Sequence, residues 1–227
     1  MIPWLHGEEP FPPVSKALEH PNGLLCAGGD LSPHRILEAY RHGIFPWFGE
    51  GDPILWWSPD PRMVLFPEEL RVSRSLRKRL RQGDYETRVD TAFRQVMEAC
   101  AGPRGGQRGT WIVPEMVEAY TELHEMGFAH SVESWLDGEL AGGLYGIALG
   151  DVFFGESMFA READASKVAL VRLVERLGVT GCRVIDCQQA TAHLASLGAR
   201  EIPRAAFAQL LAESIQYPSR GERWSPD

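Results

Sequence analysis

Metal chemistry has little to work with in this sequence. Its 227 residues include four cysteines, Cys26, Cys100, Cys182 and Cys187, and no two of them form a CxxC pair. The seven histidines form no HExxH. Without such spacings no ion is offered a ready set of ligands, and no metal site is expected. The same cysteine usage reads as reduced thiols in a cytosolic protein. The opening stretch MIPWLHGEEPFPPV lacks the basic start and apolar run of a secretory signal. No apolar segment approaches the length that spans a bilayer, so no membrane partner is expected. Positive charge is also short. Lys and Arg number 23 against 31 Asp and Glu, a net charge of -8. That argues against wholesale nucleic-acid binding and leaves room for a local basic patch. There is no internal repeat and no low-complexity tract.

What is present is ordinary globular material, 44% apolar and 24% charged, enough for one large domain or two smaller ones. Ser32, Pro33 and Gly43 punctuate a helix as N-cap, first turn and stop. Phe45, Trp47, Phe48, Trp56 and Trp57 follow as an aromatic cluster. Prolines at 46, 53, 59 and 61 argue against a helix or a central strand there. A domain boundary is placed after residue 62, giving a small α+β domain over 1–62 and a larger one over 63–227. RVSRSLRKRLRQG then carries Val72, Leu76 and Leu80 as an apolar stripe, with six basic residues in eleven positions and no acidic neighbour at i+4. Beyond a helix ending at Gly127 comes a meander over 129–136, 140–149 and 152–159. Asp164 is the expected N-cap of the next helix and Gly178 its stop. A strand CRVIDCQ, a short helix TAHLASLG, an extended piece and a last helix near 204–214 complete the order.

Two places break the apolar pattern. In the strand at 152–159, alternation puts Glu156 on one face with Val152, Phe154 and Met158. In CRVIDCQ, Cys182, Val184, Asp186 and Gln188 share a face. Asp186 and Gln188 then lie about 6.5 Å apart. If the two strands are neighbours, Glu156, Asp186 and Gln188 converge. They form either a catalytic constellation or a structural hydrogen-bond network.

The strand and helix order resembles the N-acetyltransferase (GNAT) superfamily, so the fold expected is a GNAT-like mixed sheet flanked by helices. The superfamily's glycine-rich loop for coenzyme A is replaced here by READASK, in which Asp164 repels a pyrophosphate. PNGLLCAGGDLSP, YRHGIFPWF, DPILWWSPDPR, GESMF, ASKVAL, IDCQ and HLASLGAREIPR, in this order, resemble the bacterial leucyl/phenylalanyl-tRNA–protein transferase family over nearly the whole chain.

That resemblance implies transfer of Leu, Phe or Met from aminoacyl-tRNA to proteins with N-terminal Arg or Lys, which marks them for degradation. It also implies a cytoplasmic monomer. The ester is already activated, so no cofactor is implied. Asp186 and Gln188 become the catalytic pair, joined by Glu156. The resemblance implies that Asp186 polarises Gln188, which accepts the amine's proton. Because a neutral amide is a very poor base, Gln188 is read instead as positioning the amine by its carbonyl oxygen, with Asp186 fixing its orientation. Glu156 is left with two roles, holding Gln188 or binding the cationic substrate. Trp47, Trp111, Leu144, Phe153, Leu173, Leu177 and Ile185 match the aminoacyl pocket, and Arg74, Arg77, Lys78 and Arg81 match the tRNA contact. Three other functions remain open: a coenzyme A-dependent acetyltransferase, a non-catalytic RNA-binding module, and aminoacyl transfer to another amine.

Overall fold

The computed structural model describes residues 2–7, 9–102, 112–216 and 221–225. A small sheet comes first. Its strands are β1 (Trp4–Leu5), β2 (Leu24–Gly28), β3 (Phe45–Pro46) and β4 (Leu55–Trp57), in the order β1-β2-β4-β3. Helix α1 (Pro33–Arg41) joins β2 to β3. Its Ser32 hydroxyl accepts from the Arg35 N–H, and Pro33 opens its first turn. One expectation fails here. The prolines pointed away from a central strand, yet β4 is interior, paired with β2 and β3. Pro53 and Pro59 lie outside it, and Pro46 sits on the edge strand, where a missing donor is tolerated. Trp56 is fully buried there, its indole N–H donating to Gly28 O at 2.8 Å.

The second sheet has seven strands: β5 (Arg62–Leu65), β6 (Glu86–Val89), β7 (Ala129–Leu136), β8 (Glu139–Leu149), β9 (Val152–Ala160), β10 (Val184–Asp186) and β11 (Arg200–Ile202). Their order is β11-β5-β10-β9-β8-β7-β6. The pair β9–β10 is parallel and the others are antiparallel. Around it run α2 (Arg74–Gln82), α3 (Phe93–Ala101), α4 (Pro114–Glu125), α5 (Ala165–Thr180), α6 (Ala192–Ser196) and α7 (Arg204–Ser214). The fold class is therefore α+β, a mixed sheet flanked by helices.

The sheet separates two apolar layers. One joins Tyr40 of α1, Val96 of α3 and Tyr120 of α4 to Phe154, and it runs on into Trp56 of the small sheet. The other joins Leu170, Leu173 and Leu177 of α5 to Leu144, Phe153 and Ile185. Asp164 holds the N-cap position of α5 as expected, but in the left-handed region (φ 66°) and with no side-chain capping bond, its carboxylate pairing instead with Lys167 at 2.7 Å. The other end differs from the sequence reading: Gly178 does not stop the helix. The helix runs to Thr180 and ends on Gly181. A mid-helix glycine costs about 1 kcal/mol, less than the buried Val174 and Leu177 stripe returns.

Candidate active site

Glu156 sits at a bulge. Across β8 and β9, Tyr145 pairs with Ser157 and Gly146 with Gly155, leaving Glu156 without an opposite number. The extra residue reverses the alternation. Phe154 stays in the layer with Tyr40, at 4.9 Å between rings, while Met158 packs into the layer under α5. The four residues expected to share one face therefore do not, and no charge lies on a continuous apolar face. Bulges of this kind re-aim a side chain beside active sites.

At the bulge Glu156 keeps to the Tyr40 and Tyr120 side and joins a polar chain. Its Oε1 accepts from Gln188 Nε2 at 2.9 Å, and its Oε2 accepts from Tyr120 Oη at 3.4 Å. Tyr120 Oη lies 2.6 Å from Tyr40 Oη. Burial pushes the Glu156 carboxyl from 4.5 up to about 8. The Tyr40 hydrogen bond opposes that rise, the Asp186 charge adds to it, and Arg62 and Tyr120 oppose it. Burial likewise holds both phenols well above 10.

Gln188 departs from the expected strand geometry. Strand β10 ends at Asp186, and Gln188 takes a left-handed backbone (φ 55°). A non-glycine residue there costs on the order of 1 kcal/mol and persists only when its surroundings hold it. Asp186 supplies the hold: its Oδ1 accepts from the Gln188 backbone N–H at 3.0 Å. So Asp186 grips the main chain of Gln188 while Glu156 grips the side chain. With its amide N–H directed to Glu156, Gln188 keeps Oε1 as an acceptor.

Asp186 is itself fully buried and clamped by Arg62, Nε to Oδ1 at 2.8 Å and Nη2 to Oδ2 at 2.6 Å. Arg62 also donates to Gly43 O at 3.1 Å and lies over the rings of Phe45 and Phe207. Planar fork geometry of this kind is what Arg offers and Lys does not. Arg62, Tyr40 and Tyr120 were not singled out from sequence. Nothing in the chain ties residue 62 to 186 across 124 positions. Only the rule that a buried arginine needs a buried acid points to the pair.

Glu156 and Gln188 line a cavity of about 610 Å³. Its walls include Leu65, Leu144, Phe153, Leu170, Leu173 and Ile185, and Trp47, which is exposed, lines it too. Leu177 is buried in the same layer but does not reach the cavity. Trp111 lies outside the described residues. Cys187 also lines the cavity. Burial pushes its thiol far above the usual range, so it offers no thiolate nucleophile. A more polar cavity of about 980 Å³, with Gln95, Glu98, Arg161 and Ser166, shares Met158 and His193 with the first. Among the described residues, no group of three His, Cys, Asp or Glu gathers as for a metal ion. No helix among them is long and apolar enough to cross a membrane.

The basic helix is α2, capped by Ser73 and ended by Gly83 in the left-handed region. Arg74, Arg77, Lys78 and Arg81 are exposed. Arg79, one of the six cations, is spoken for by Asp84 at 2.8 Å. Leu76 packs against Val168 and Val171, so α2 rides on the helix whose Leu170 and Leu173 wall the cavity.

Comparison with known proteins adds the following. The family model described as "Leucyl/phenylalanyl-tRNA protein transferase" matches residues 64–212, and that of its N-terminal domain matches 29–60. A leucyl/phenylalanyl-tRNA–protein transferase of Nitrosospira multiformis is 65% identical over 100% of this chain and 98% of its own. One of Chromobacterium violaceum is 64% identical over 99% and 96%. Among solved structures, a GCN5-related N-acetyltransferase from Kribbella flavida matches at a TM-score of 0.41 and 13% identity, over 73% of this chain and 59% of that one, too loose to carry weight.

Proposed function

The chain belongs to the leucyl/phenylalanyl-tRNA–protein transferase family, and we propose that it moves Leu, Phe or Met from aminoacyl-tRNA to the α-amino group of proteins beginning with Arg or Lys. The observation that carries this reading is the 2.9 Å contact between Glu156 and Gln188 beside an apolar cavity. The cavity suits an aliphatic or aromatic aminoacyl side chain. One methylene is worth only about 1–3 kcal/mol in such a pocket, so several donors are accepted. In this reading Trp47, Leu144, Phe153, Leu173 and Ile185 face the donor. Trp111 and Leu177 keep their places only through the resemblance.

The chemistry asks little of the protein. The acceptor amine has a pKa of about 7.7–8.0, so much of it is neutral near pH 7. It must be aligned with the ester carbonyl. Gln188 Oε1 accepts a hydrogen bond from the amine, while the Arg62–Asp186 pair keeps Gln188 in its strained turn. A neutral amide is a poor base. Glu156, joined to Gln188 and pushed up to about 8, is matched to the amine, and its ionised form, the minority near pH 7, takes the proton as the C–N bond forms. It returns that proton to the ribose oxygen as the ester C–O bond breaks. No cofactor enters the balance.

The exposed cations Arg74, Arg77, Lys78 and Arg81 are assigned to the tRNA backbone, and the adjoining cavity gives the substrates room beyond the reacting atoms. Modification of N-terminal Arg or Lys then marks the acceptor for degradation in the cytoplasm. The monomer and the boundary after residue 62 stand as part of the same proposal. The test is transfer of labelled Leu from Leu-tRNA to a peptide beginning with Arg, against the same peptide beginning with Ala or acetylated Arg. Label on the free Arg peptide alone is expected. No transfer from Leu-, Phe- or Met-tRNA by folded protein refutes the reading. Glu156→Gln should slow every acceptor alike. A loss confined to Arg and Lys acceptors would instead place Glu156 against their side chains.

A further inference from the structure

The tail after α7 reads as polar and uninformative in sequence, yet residues 221–225 dock at one place. Glu222 N donates to Gly127 O at 2.8 Å, and Arg223 Nη2 donates to Glu125 O at 3.3 Å. A Cβ at Gly221 would sit 2.0 Å from Met126 O, so only glycine permits this approach. The docking delivers one large side chain. The Trp224 ring stacks on His130 at 4.0 Å and 6°, lies 5.9 Å from the Phe153 ring at 27°, and carries the Arg176 guanidinium at 5.0 Å. Phe153 is fully buried and lines the donor cavity.

Both ends of this stack are fixed. His130 is 1% exposed, and its Nδ1 is held 2.7 Å from Asp90 Oδ2. Asp90 in turn accepts from Ser131 N at 2.8 Å and occupies a left-handed backbone (φ 56°). On another side of Phe153 there is no slack: a Cβ at Gly146 would meet the ring at 2.5 Å. A further neighbour is the tail tryptophan, which packs against the layer that also holds Leu144, Leu173 and Ile185.

We propose that Trp224 is a specificity-positioning residue: docked by residues 221–223 and braced on His130, it backs Phe153 and so sets how large a donor side chain the cavity admits. This rests on the aminoacyl reading of that cavity. Removing the indole lets Phe153 relax outward, which favours the larger donor, because pocket selectivity follows the space available.

The experiment compares wild type, Trp224→Phe and Trp224→Ala. The readout is calorimetric binding of two adenosine derivatives bearing leucine or phenylalanine through a stable 3′-amide, beside Leu transfer by wild type. Trp224→Ala should raise the phenylalanyl-to-leucyl affinity ratio roughly tenfold, and Trp224→Phe should stay within about twofold of wild type. A merely structural tail lowers the melting temperature and leaves the ratio unmoved, and that result overturns the proposal. Should Trp224→Ala fail to fold, Trp224→Leu keeps an apolar side chain in part of that space but not the flat stack, and the same ratio decides. Wild type that binds with the expected ratios but transfers nothing would sink the transferase reading alone. Transfer by wild type with an unmoved ratio in the variants would sink the tail inference alone.

Discussion

The raised Glu156 carboxyl makes stability itself a reporter of the site. In the unfolded chain this group titrates near 4.5, and in the fold it is pushed up to about 8. Between those values the folded protein keeps a proton that the unfolded chain has released. Stability therefore falls as pH rises through this window, and the loss is complete above about pH 8. Full burial would make that loss about 5 kcal/mol. Glu156 keeps intermediate exposure and lines the cavity, so water trims the figure to about 1–3 kcal/mol.

Glu156→Gln removes the ionisation and keeps the shape. Other groups titrate too, so the quantity to follow is the difference between variant and wild type. Thermal unfolding at pH 5, 7 and 9 should show the variant gaining on wild type by about 1–3 kcal/mol across that range, roughly 3–10 °C for a chain of this length. Curves that stay parallel within a degree would mean the carboxyl ionises near its ordinary value. Glu156 would then be an unremarkable carboxylate at neutral pH, and the proton-acceptor role would lose its physical basis.

Arg62→Met leaves Asp186 buried without its counter-charge and should cost about 3–5 kcal/mol in urea unfolding. A loss below about 1 kcal/mol would show that water already reaches the pair. Gly146→Ala brings a Cβ within 2.2 Å of Phe154 O and 2.5 Å of the Phe153 ring. It should destabilise by about 1–3 kcal/mol and cut Leu transfer, both read on the purified variant. Replacing Arg74 and Lys78 together by Ala should lower the log–log salt slope of tRNA binding by about 1.5, and an unchanged slope moves the RNA contact off α2.

Much of the fold was legible because it is written in local chemistry. Ser32, Pro33 and Gly43 bound α1, and the meander appeared within a residue of its ends. Local rules failed where the wider fold overrules them. Gly178 looked like a stop, but the helix is held through it by its buried stripe. Leu55–Trp57 looked too proline-flanked for a central strand, yet the prolines fall just outside it. The C-terminal residues read as a polar tail with little signal, and the docking of Trp224 depends on His130 and Phe153, more than seventy positions upstream.

The site shows the same division more sharply. Glu156, Asp186 and Gln188 stood out as polar residues where apolar ones belonged, and that signal survives in the structure as real contacts. The geometry assigned to them did not survive, because strict alternation cannot foresee a bulge or a left-handed turn. Those two irregularities are what make the site. Without the bulge at Glu156, Met158 would follow Phe154 and Glu156 onto the Tyr40 face instead of packing under α5. Without the left-handed turn at Gln188, its Cβ would leave the backbone in another direction and the amide would not be aimed at Glu156. Each irregularity is held by a group far off in sequence, Tyr120 for one and the Arg62–Asp186 pair for the other. A chain can thus advertise its reacting groups locally while the forces that aim them stay invisible until the sheet and helices have brought distant residues together.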